Sequence, residues 1–214
     1  MSNAMILLDS AIVKDARQAA GWGWVQGITT NPVLLAQSDL PPEETLRQLA
    51  ETITGPVFYQ LTAPDVAGMI VEAERAEDVL GGQLVLKIAA SPKGFEAAAQ
   101  LSLHADVCIT AVFNASQAIA AEAAGARFLA LYYNRAMRLM EDGPGFVRAV
   151  VDVLEGSSCE VIAASVKSPA EAVAARQAGI PHLTLPLAML EALGRCDLSE
   201  QVIADFNRNG RGII

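Results

Sequence analysis

One lysine interrupts an otherwise apolar run at residues 84–89, Leu-Val-Leu-Lys-Ile-Ala, and Lys87 needs a reason to be there. Gly81-Gly82 and Ser91-Pro92 bound the run, as turn signals bound a strand buried on both faces of a parallel sheet. An ammonium in that setting loses hydration that its apolar neighbours do not replace. Burial favours the uncharged amine, which is the form that attacks a carbonyl, so Lys87 is a candidate Schiff-base nucleophile. The competing reading places it at a strand's end, reaching solvent past Ala89 and Ala90.

Other polar residues stand where apolar runs end. They are Asp9, Thr29 and Asn31, Gln60, Thr110, Tyr132 with Asn134 and Arg135, and Ser165 with Lys167. Singly, each has a structural explanation: Asp9 as a helix cap, Thr29 as a turn former, Arg135 as a rim charge. Together they supply an amine nucleophile, a carboxylate, hydroxyl and amide groups suited to sugar hydroxyls, and cations suited to a phosphate. Only two histidines exist, His104 and His182, and neither ends a run, which argues against a histidine-based triad or a histidine-rich metal site.

The elements that must position these groups follow from periodicity. Apolar runs at 5–9, 24–30, 56–61, 84–89, 106–112, 127–133, 160–166 and 182–187 read as strands. Helical spacing follows from Val13, then over 43–53, 64–80, 92–103, 116–124, 146–154, 169–178 and 187–207, while 138–144 has no readable pattern. Eight alternations within about 210 residues give the count and unit length of an α/β protein of the (β/α)8 TIM-barrel kind, ending in an extra C-terminal helix. An open doubly wound sheet is the alternative, disfavoured because no Gly-x-Gly-x-x-Gly turn follows the first strand. In a barrel, the polar residues at the strands' C-terminal ends would converge on one face.

Composition narrows the class. With 214 residues, 52% hydrophobic and 18% charged, the chain can build one compact domain over residues 5–214. The Ser2-Asn3-Ala4 stretch before Met5 reads as an expression-tag remnant, so residues 1–4 are set apart from the fold. A net charge of −9 argues against nucleic acid as a partner and leaves any anionic substrate to a few local cations. Three cysteines without metal-ligand spacing suggest free thiols in a reducing compartment. No membrane-spanning or signal segment is expected, and the cytoplasm is the expected location.

Several motifs together resemble the transaldolase and fructose-6-phosphate aldolase family. They are Leu8-Asp9, Gly27-Ile28-Thr29-Thr30-Asn31-Pro32, the Lys87 strand followed by Gly94, Thr110-Ala111-Val112-Phe113, Tyr132-Tyr133-Asn134-Arg135, Ala163-Ala164-Ser165-Val166-Lys167-Ser168-Pro169 and Thr184-Leu185-Pro186-Leu187. The match runs over nearly the whole chain from Met5 and is poorest over 14–24 and 136–158.

The resemblance implies a class I mechanism with no cofactor and no metal, acting on a sugar phosphate. Lys87 would form an imine at the ketose C2 and Asp9 would take the proton of the C4 hydroxyl. Thr29 and Asn31 would hold substrate hydroxyls. Gln60 and Thr110 would position a water, with Tyr132 completing the relay, and Asn134, Arg135, Ser165 and Lys167 would face the substrate and its phosphate. Gln60 and Tyr132 resemble the aldolase members, where transaldolases carry glutamate and phenylalanine, whereas Lys87-Ile88-Ala89-Ala90-Ser91 looks more like the transaldolase strand. Arg135 is followed by Ala136-Met137-Arg138 in place of the family's usual acidic residues. The expected activity is therefore an aldolase that releases dihydroxyacetone from fructose 6-phosphate. A small transaldolase is the alternative, and a non-covalent sugar-phosphate isomerase or binding barrel a more distant one. Small relatives assemble as rings of five or doubled rings through the C-terminal helix, so a homo-oligomer, a pentamer or decamer, is expected.

Overall fold

In the computed structural model, which describes residues 4–213, eight strands form from the apolar runs. They are β1 (Ile6–Asp9), β2 (Ile28–Thr29), β3 (Val57–Gln60), β4 (Leu84–Ala89), β5 (Asp106–Val112), β6 (Phe128–Tyr132), β7 (Glu160–Ala164) and β8 (His182–Leu185). Residues 1–3 of the expected tag remnant, and residue 214, lie outside the described residues. The strands pair in parallel in chain order, and β8 pairs with β1, Leu7 opposite Thr184, to close a barrel. That closure excludes the doubly wound sheet and makes the fold the expected (β/α)8 barrel.

The helices are α1 (Val13–Gly21), α2 (Pro32–Leu35), α3 (Pro42–Thr52), α4 (Val66–Leu80), α5 (Pro92–Leu101), α6 (Ser116–Ala123), α7 (Tyr133–Leu139), α8 (Gly143–Val153), α9 (Pro169–Gln177), α10 (Leu187–Leu193) and α11 (Asp197–Asn209). Among the described residues none is long and apolar enough to cross a membrane.

Period-two alternation sorts the strand side chains into two cores. Leu7, Phe58, Val85, Cys108, Phe128, Ala130 and Ile162 fill the barrel interior, with Phe58 and Phe128 in tilted contact at 5.5 Å. Leu8, Ile28, Val57, Leu86, Ile109 and Leu129 point outward to the helices. The helices present buried alanines to them, among them Ala16 and Ala19 of α1, Ala97 and Ala98 of α5 and Ala172 and Ala175 of α9. Side chains this small let each helix lie close on the barrel wall, which accounts for the abundance of alanine.

Helix starts are written in the sequence. Asn31, Asp65, Ser91, Asp142 and Ser168 each accept a hydrogen bond from an N–H in the first turn they precede. Each such cap contributes about 1 kcal/mol. At the turn after β4, a Cβ on Gly94 would stand 2.1 Å from the Ala89 carbonyl oxygen, so only glycine lets α5 fold back against the end of the lysine strand.

Three expectations are corrected in detail. The second strand is only Ile28–Thr29, because the Gln26 side chain competes with the ladder: its Oε1 accepts from the Ile6 N–H at 3.1 Å. The run 133–139, unread as a helix, forms α7 directly from the end of β6. The last helix, expected as one piece over 187–207, is broken at Gly194 into α10 and α11.

At the N-terminal end of the barrel His182 is fully buried and neutral by geometry. Its Nδ1 accepts from the Met5 N–H at 2.9 Å, so Nε2 carries the hydrogen facing Glu160 at 3.2 Å. Burial lowers its pKa, and the opposing pull of Glu160 does not restore it. Below about pH 6.5 the unfolded chain therefore binds a proton that the folded barrel refuses, so this contribution to stability is present above that pH and is lost as pH falls. The thermal midpoint is expected to drop between pH 7 and 5, and to drop less steeply in His182→Gln. A slope unchanged by the substitution would assign the effect elsewhere.

Candidate active site

Because β4 alternates, Val85 and Lys87 face inward and Leu86 and Ile88 outward, which puts the lysine inside the barrel above the apolar interior. Lys87 is 5% exposed and its Nζ donates to the Thr30 carbonyl at 2.8 Å. Among the described residues no carboxylate forms an ion pair with it. The snorkelling alternative is thereby set aside. The amine opens into a central cavity of about 440 Å³ at the C-terminal ends of the strands.

That cavity gathers Asp9, Thr29, Asn31, Gln60, Lys87, Tyr132, Arg135, Ser165 and Lys167 from the candidates, on a floor of Phe58, Cys108, Ala130 and Ile162. Burial pushes the Cys108 thiol up to about 12 despite the nearby Lys87 charge, so it meets the cavity as a neutral group. A larger groove of about 850 Å³ lies outside the barrel along α3 and α4, but its lining is mostly apolar and holds no lysine.

The Thr-Thr-Asn-Pro turn earns each of its residues. Thr29 Oγ1 donates to Asp9 Oδ1 at 2.8 Å and, its single hydrogen thus committed, accepts from Thr184 Oγ1 at 2.5 Å. Thr30 donates its hydroxyl to the Phe58 carbonyl at 2.7 Å while its own carbonyl takes the lysine. Asn31 Oδ1 accepts from the N–H groups of Val33 and Leu34, both at 3.0 Å, and Pro32 opens α2. Asp9 and the lysine's carbonyl partner are therefore set by one turn.

Two side-chain atoms are buried with no hydrogen-bond partner among the described residues: Gln60 Oε1 and Thr110 Oγ1. Gln60 stands opposite Lys87 in the β3–β4 register, and Thr110 lies two residues past Cys108 on the same face of β5. An unpaired buried polar atom costs about 1–3 kcal/mol, so both call for a polar guest. Thr110 itself is fully buried and does not line the cavity. Immediately after it, Ala111 takes a φ of 57° and the ladder to β6 shifts register.

On the other side of the mouth, the Arg135 guanidinium lies 4.7 Å over the Tyr132 ring, which also meets Phe113 edge-on at 6.1 Å. Ser165 adopts a φ of 59°, a strained backbone for a residue with a Cβ, and turns the chain toward Lys167. Asn134 does not line the cavity: its Nδ2 donates to Glu171 at 2.7 Å.

Sequence reasoning missed three supporting groups. Thr184 stood in a quoted motif without a role. Glu171 was legible only as the fourth residue of Ser168-Pro169-Ala170-Glu171, the spacing of a capping box. Glu72 had no local signal. Its carboxylate accepts from Tyr59 Oη at 2.7 Å, from Thr62 and from the Ala63 N–H at 2.8 Å, clamping the loop that follows Gln60. Burial pushes the Glu72 carboxyl up, but these hydrogen bonds outweigh it and hold the pKa below the ordinary range; Tyr59 is pushed up by burial and by its bond to Glu72.

Comparison with known proteins adds to this geometry. The family described as Transaldolase/Fructose-6-phosphate aldolase matches residues 6–210. A protein of Kosmotoga olearia described as "Probable transaldolase" is 33% identical over 204 residues, 94% of this chain and 93% of that relative. Similarly described proteins of Geobacter sulfurreducens and Symbiobacterium thermophilum are 29% and 30% identical, covering 96% and 94% of this chain and 97% and 94% of the relatives. Among solved structures, a mandelate oxidase superposes with a TM-score of 0.61 at 17% identity, over 86% of this chain and 65% of that one, a likeness of barrel fold alone.

A lysine kept inside a barrel with a single carbonyl partner is a poor contributor to stability. Lys87→Met is therefore expected to fold normally, with a stability within about 1 kcal/mol of the parent or higher. Denaturant unfolding checks this, and a loss of several kcal/mol would show that the amine holds the barrel together.

Proposed function

Since the chain belongs to the transaldolase/fructose-6-phosphate aldolase family, we propose that it is a Schiff-base enzyme that breaks and forms the C3–C4 bond of a ketose phosphate such as fructose 6-phosphate. The observation that carries this reading is Lys87, buried in the central cavity and free of any carboxylate ion pair among the described residues.

In this mechanism Lys87 Nζ attacks the C2 carbonyl carbon, and the carbonyl oxygen leaves as water to give a protonated imine. The C3–C4 bond then breaks, its electron pair passing into the imine to make an enamine, while the C4 hydroxyl gives its proton to Asp9 and becomes the aldehyde of glyceraldehyde 3-phosphate. Thr184 and Thr29 hold Asp9 in place for that transfer. Asn31 offers its amide to substrate hydroxyls, its Oδ1 being engaged as a helix cap. Gln60 Oε1 and Thr110 Oγ1, the two unpaired buried atoms, hold the water that moves protons at the imine carbon, with Tyr132 as its partner. Arg135, Ser165 and Lys167 take the phosphate. The three free cysteines fit a reducing compartment, and we place the enzyme in the cytoplasm.

The enamine's fate separates lyase from transferase. Glutamine can hydrogen-bond a water but cannot take its proton, which leaves protonation of C3 to Tyr132 and favours hydrolysis to free dihydroxyacetone. The lyase is accordingly the reading we favour. The names of the 29–33% identical relatives favour the transferase, in which a second aldehyde captures the enamine.

Assembly is part of the proposal. Leu198, Val202, Ile203 and Phe206 fall on one face of α11 and are 48–71% exposed, an apolar stripe suited to burial against another copy.

Incubation with fructose 6-phosphate and borohydride should fix a reduced adduct on Lys87, visible by mass, and Lys87→Met should abolish both adduct and turnover. Unmodified protein that still binds the substrate would sink the covalent mechanism. Without acceptor, free dihydroxyacetone should accumulate, and Gln60→Glu combined with Tyr132→Phe should divert it to erythrose 4-phosphate. Efficient transfer by the parent with negligible dihydroxyacetone release would establish the transferase instead. In sedimentation, the parent should run as a pentamer or decamer and Phe206→Asp as smaller species; a monomeric parent would refute the assembly.

A further inference from the structure

Two segments at the cavity mouth carry the polar groups assigned to phosphate, the first turn of α7 with Arg135 after β6 and Ser165–Lys167 after β7, and one carboxylate holds both. Glu171 Oε1 accepts from Asn134 Nδ2 at 2.7 Å, and Oε2 accepts from the Lys167 backbone N–H at 2.8 Å. Asn134 is the neighbour of Arg135 in the first turn of α7, so the first bond fixes the arginine's backbone and the second that of the lysine. Ser168 accepts from the Glu171 N–H at 3.1 Å, which fixes the turn from which the carboxylate reaches out. In an ordinary capping box the glutamate would return to the N–H of the cap itself, Ser168; here it goes one residue further back and keeps its other oxygen for another element.

Glu171 does not line the cavity. Its charge nevertheless lies near groups meant for an anion, where electrostatics alone would make it a liability. We propose that Glu171 is a positioning residue for the anion subsite: by tying Asn134 to Lys167 it sets the separation of Arg135 from Ser165 and Lys167, and thereby the preference for a phosphorylated substrate. This role rests on the assignment of Arg135, Ser165 and Lys167 to phosphate. It involves no contact between Glu171 and substrate.

The positioning role and a simple charge effect have opposite signs. Removing a carboxylate that merely repels the phosphate tightens binding; removing one that sets the cations' spacing loosens it. In Glu171→Gln one of the two accepted bonds must be lost, since a carboxamide has a single oxygen, and in Glu171→Ala both are lost.

The experiment compares KM and kcat for fructose 6-phosphate and fructose, inhibition by inorganic phosphate, and the thermal midpoint, in the parent, Glu171→Gln, Glu171→Ala, Asn134→Ala and the double alanine variant. With the loss of a charge-assisted bond, KM for fructose 6-phosphate should rise about tenfold in the alanine variants while that for fructose changes little. Inorganic phosphate should inhibit correspondingly less. The double variant should be no worse than the worse single one, as expected of two groups acting as a pair.

Unchanged or lower KM for fructose 6-phosphate in both Glu171 variants would overturn the role. Equal losses for both substrates alongside a lower thermal midpoint would overturn it too, and leave Glu171 a purely structural brace. Should the parent itself show no preference for fructose 6-phosphate over fructose and no inhibition by inorganic phosphate, the phosphate assignment fails and the role of Glu171 with it. That outcome is distinct from the first two, in which the parent keeps its preference.

Discussion

The molecule is organised around the burial of a single amine. Beneath Lys87 the barrel interior is packed by Phe58, Phe128 and Ile162, and among the described residues its Nζ finds one hydrogen-bond partner, the Thr30 carbonyl. Such a group contributes little to stability beside what a well-packed apolar side chain would give. The structure meets that constraint by making Thr30 doubly anchored to β3, through its N–H and its hydroxyl to the Phe58 carbonyl. The amine is thus held by a partner that is itself anchored twice, so its place is set by the pairing of β2 with β3.

The same solution recurs around the cavity rim, where hydrogen bonds from neighbouring side chains fix the polar groups or the loops that carry them. Thr184 and Thr29 orient Asp9, Glu72 clamps the loop after Gln60, and Glu171 ties the first turn of α7, which bears Arg135, to the loop that bears Lys167. Three carboxylates of an acidic protein thereby meet the cavity in different ways, one facing it and two bracing its wall. The arrangement also explains how a chain of net charge −9 can present a cationic mouth. The bracing carboxylates spend their oxygens on N–H and O–H groups, and the Arg135 guanidinium sits over the Tyr132 ring with no acidic partner among the described residues.

The fold was legible because its signals are local and redundant. Eight apolar runs with turn residues at both ends, and caps such as Ser91 and Ser168 ahead of Pro92 and Pro169, mark nearly every boundary. Reading failed where a side chain replaced the backbone as partner, as Gln26 does beside β1, and where a helix starts without a break from a strand, as α7 does at Tyr133. In the site, the inward-facing residues could be found from their position at strand ends. Their braces could not, since Glu72 and Glu171 lie on helices, and what makes them important is contact across 10 and 37 residues of sequence. Asn134 shows the limit of the positional rule: it lies between two cavity residues in sequence, yet the helix that begins at Tyr133 turns its amide to Glu171.

Gln60 and Thr110 single out the C-terminal end of the barrel by unpaired oxygens, a signal that charge alone does not give. Gln60 stands opposite Lys87 and Thr110 lies behind the cavity on β5, and each leaves a buried oxygen without a partner among the described residues, in a barrel where the fully buried His182 has both ring nitrogens engaged. At the N-terminal end of the barrel His182 is paired within the protein, whereas at the C-terminal end two oxygens, Gln60 Oε1 and Thr110 Oγ1, have no partner among the described residues. The Ala111 backbone, held at a positive φ where β5 slips register beside Thr110, points the same way, since such a conformation costs free energy that packing elsewhere in the barrel must offset. Strain and unsatisfied oxygens accordingly fall at the same end of the barrel, the one where the buried amine opens into the central cavity.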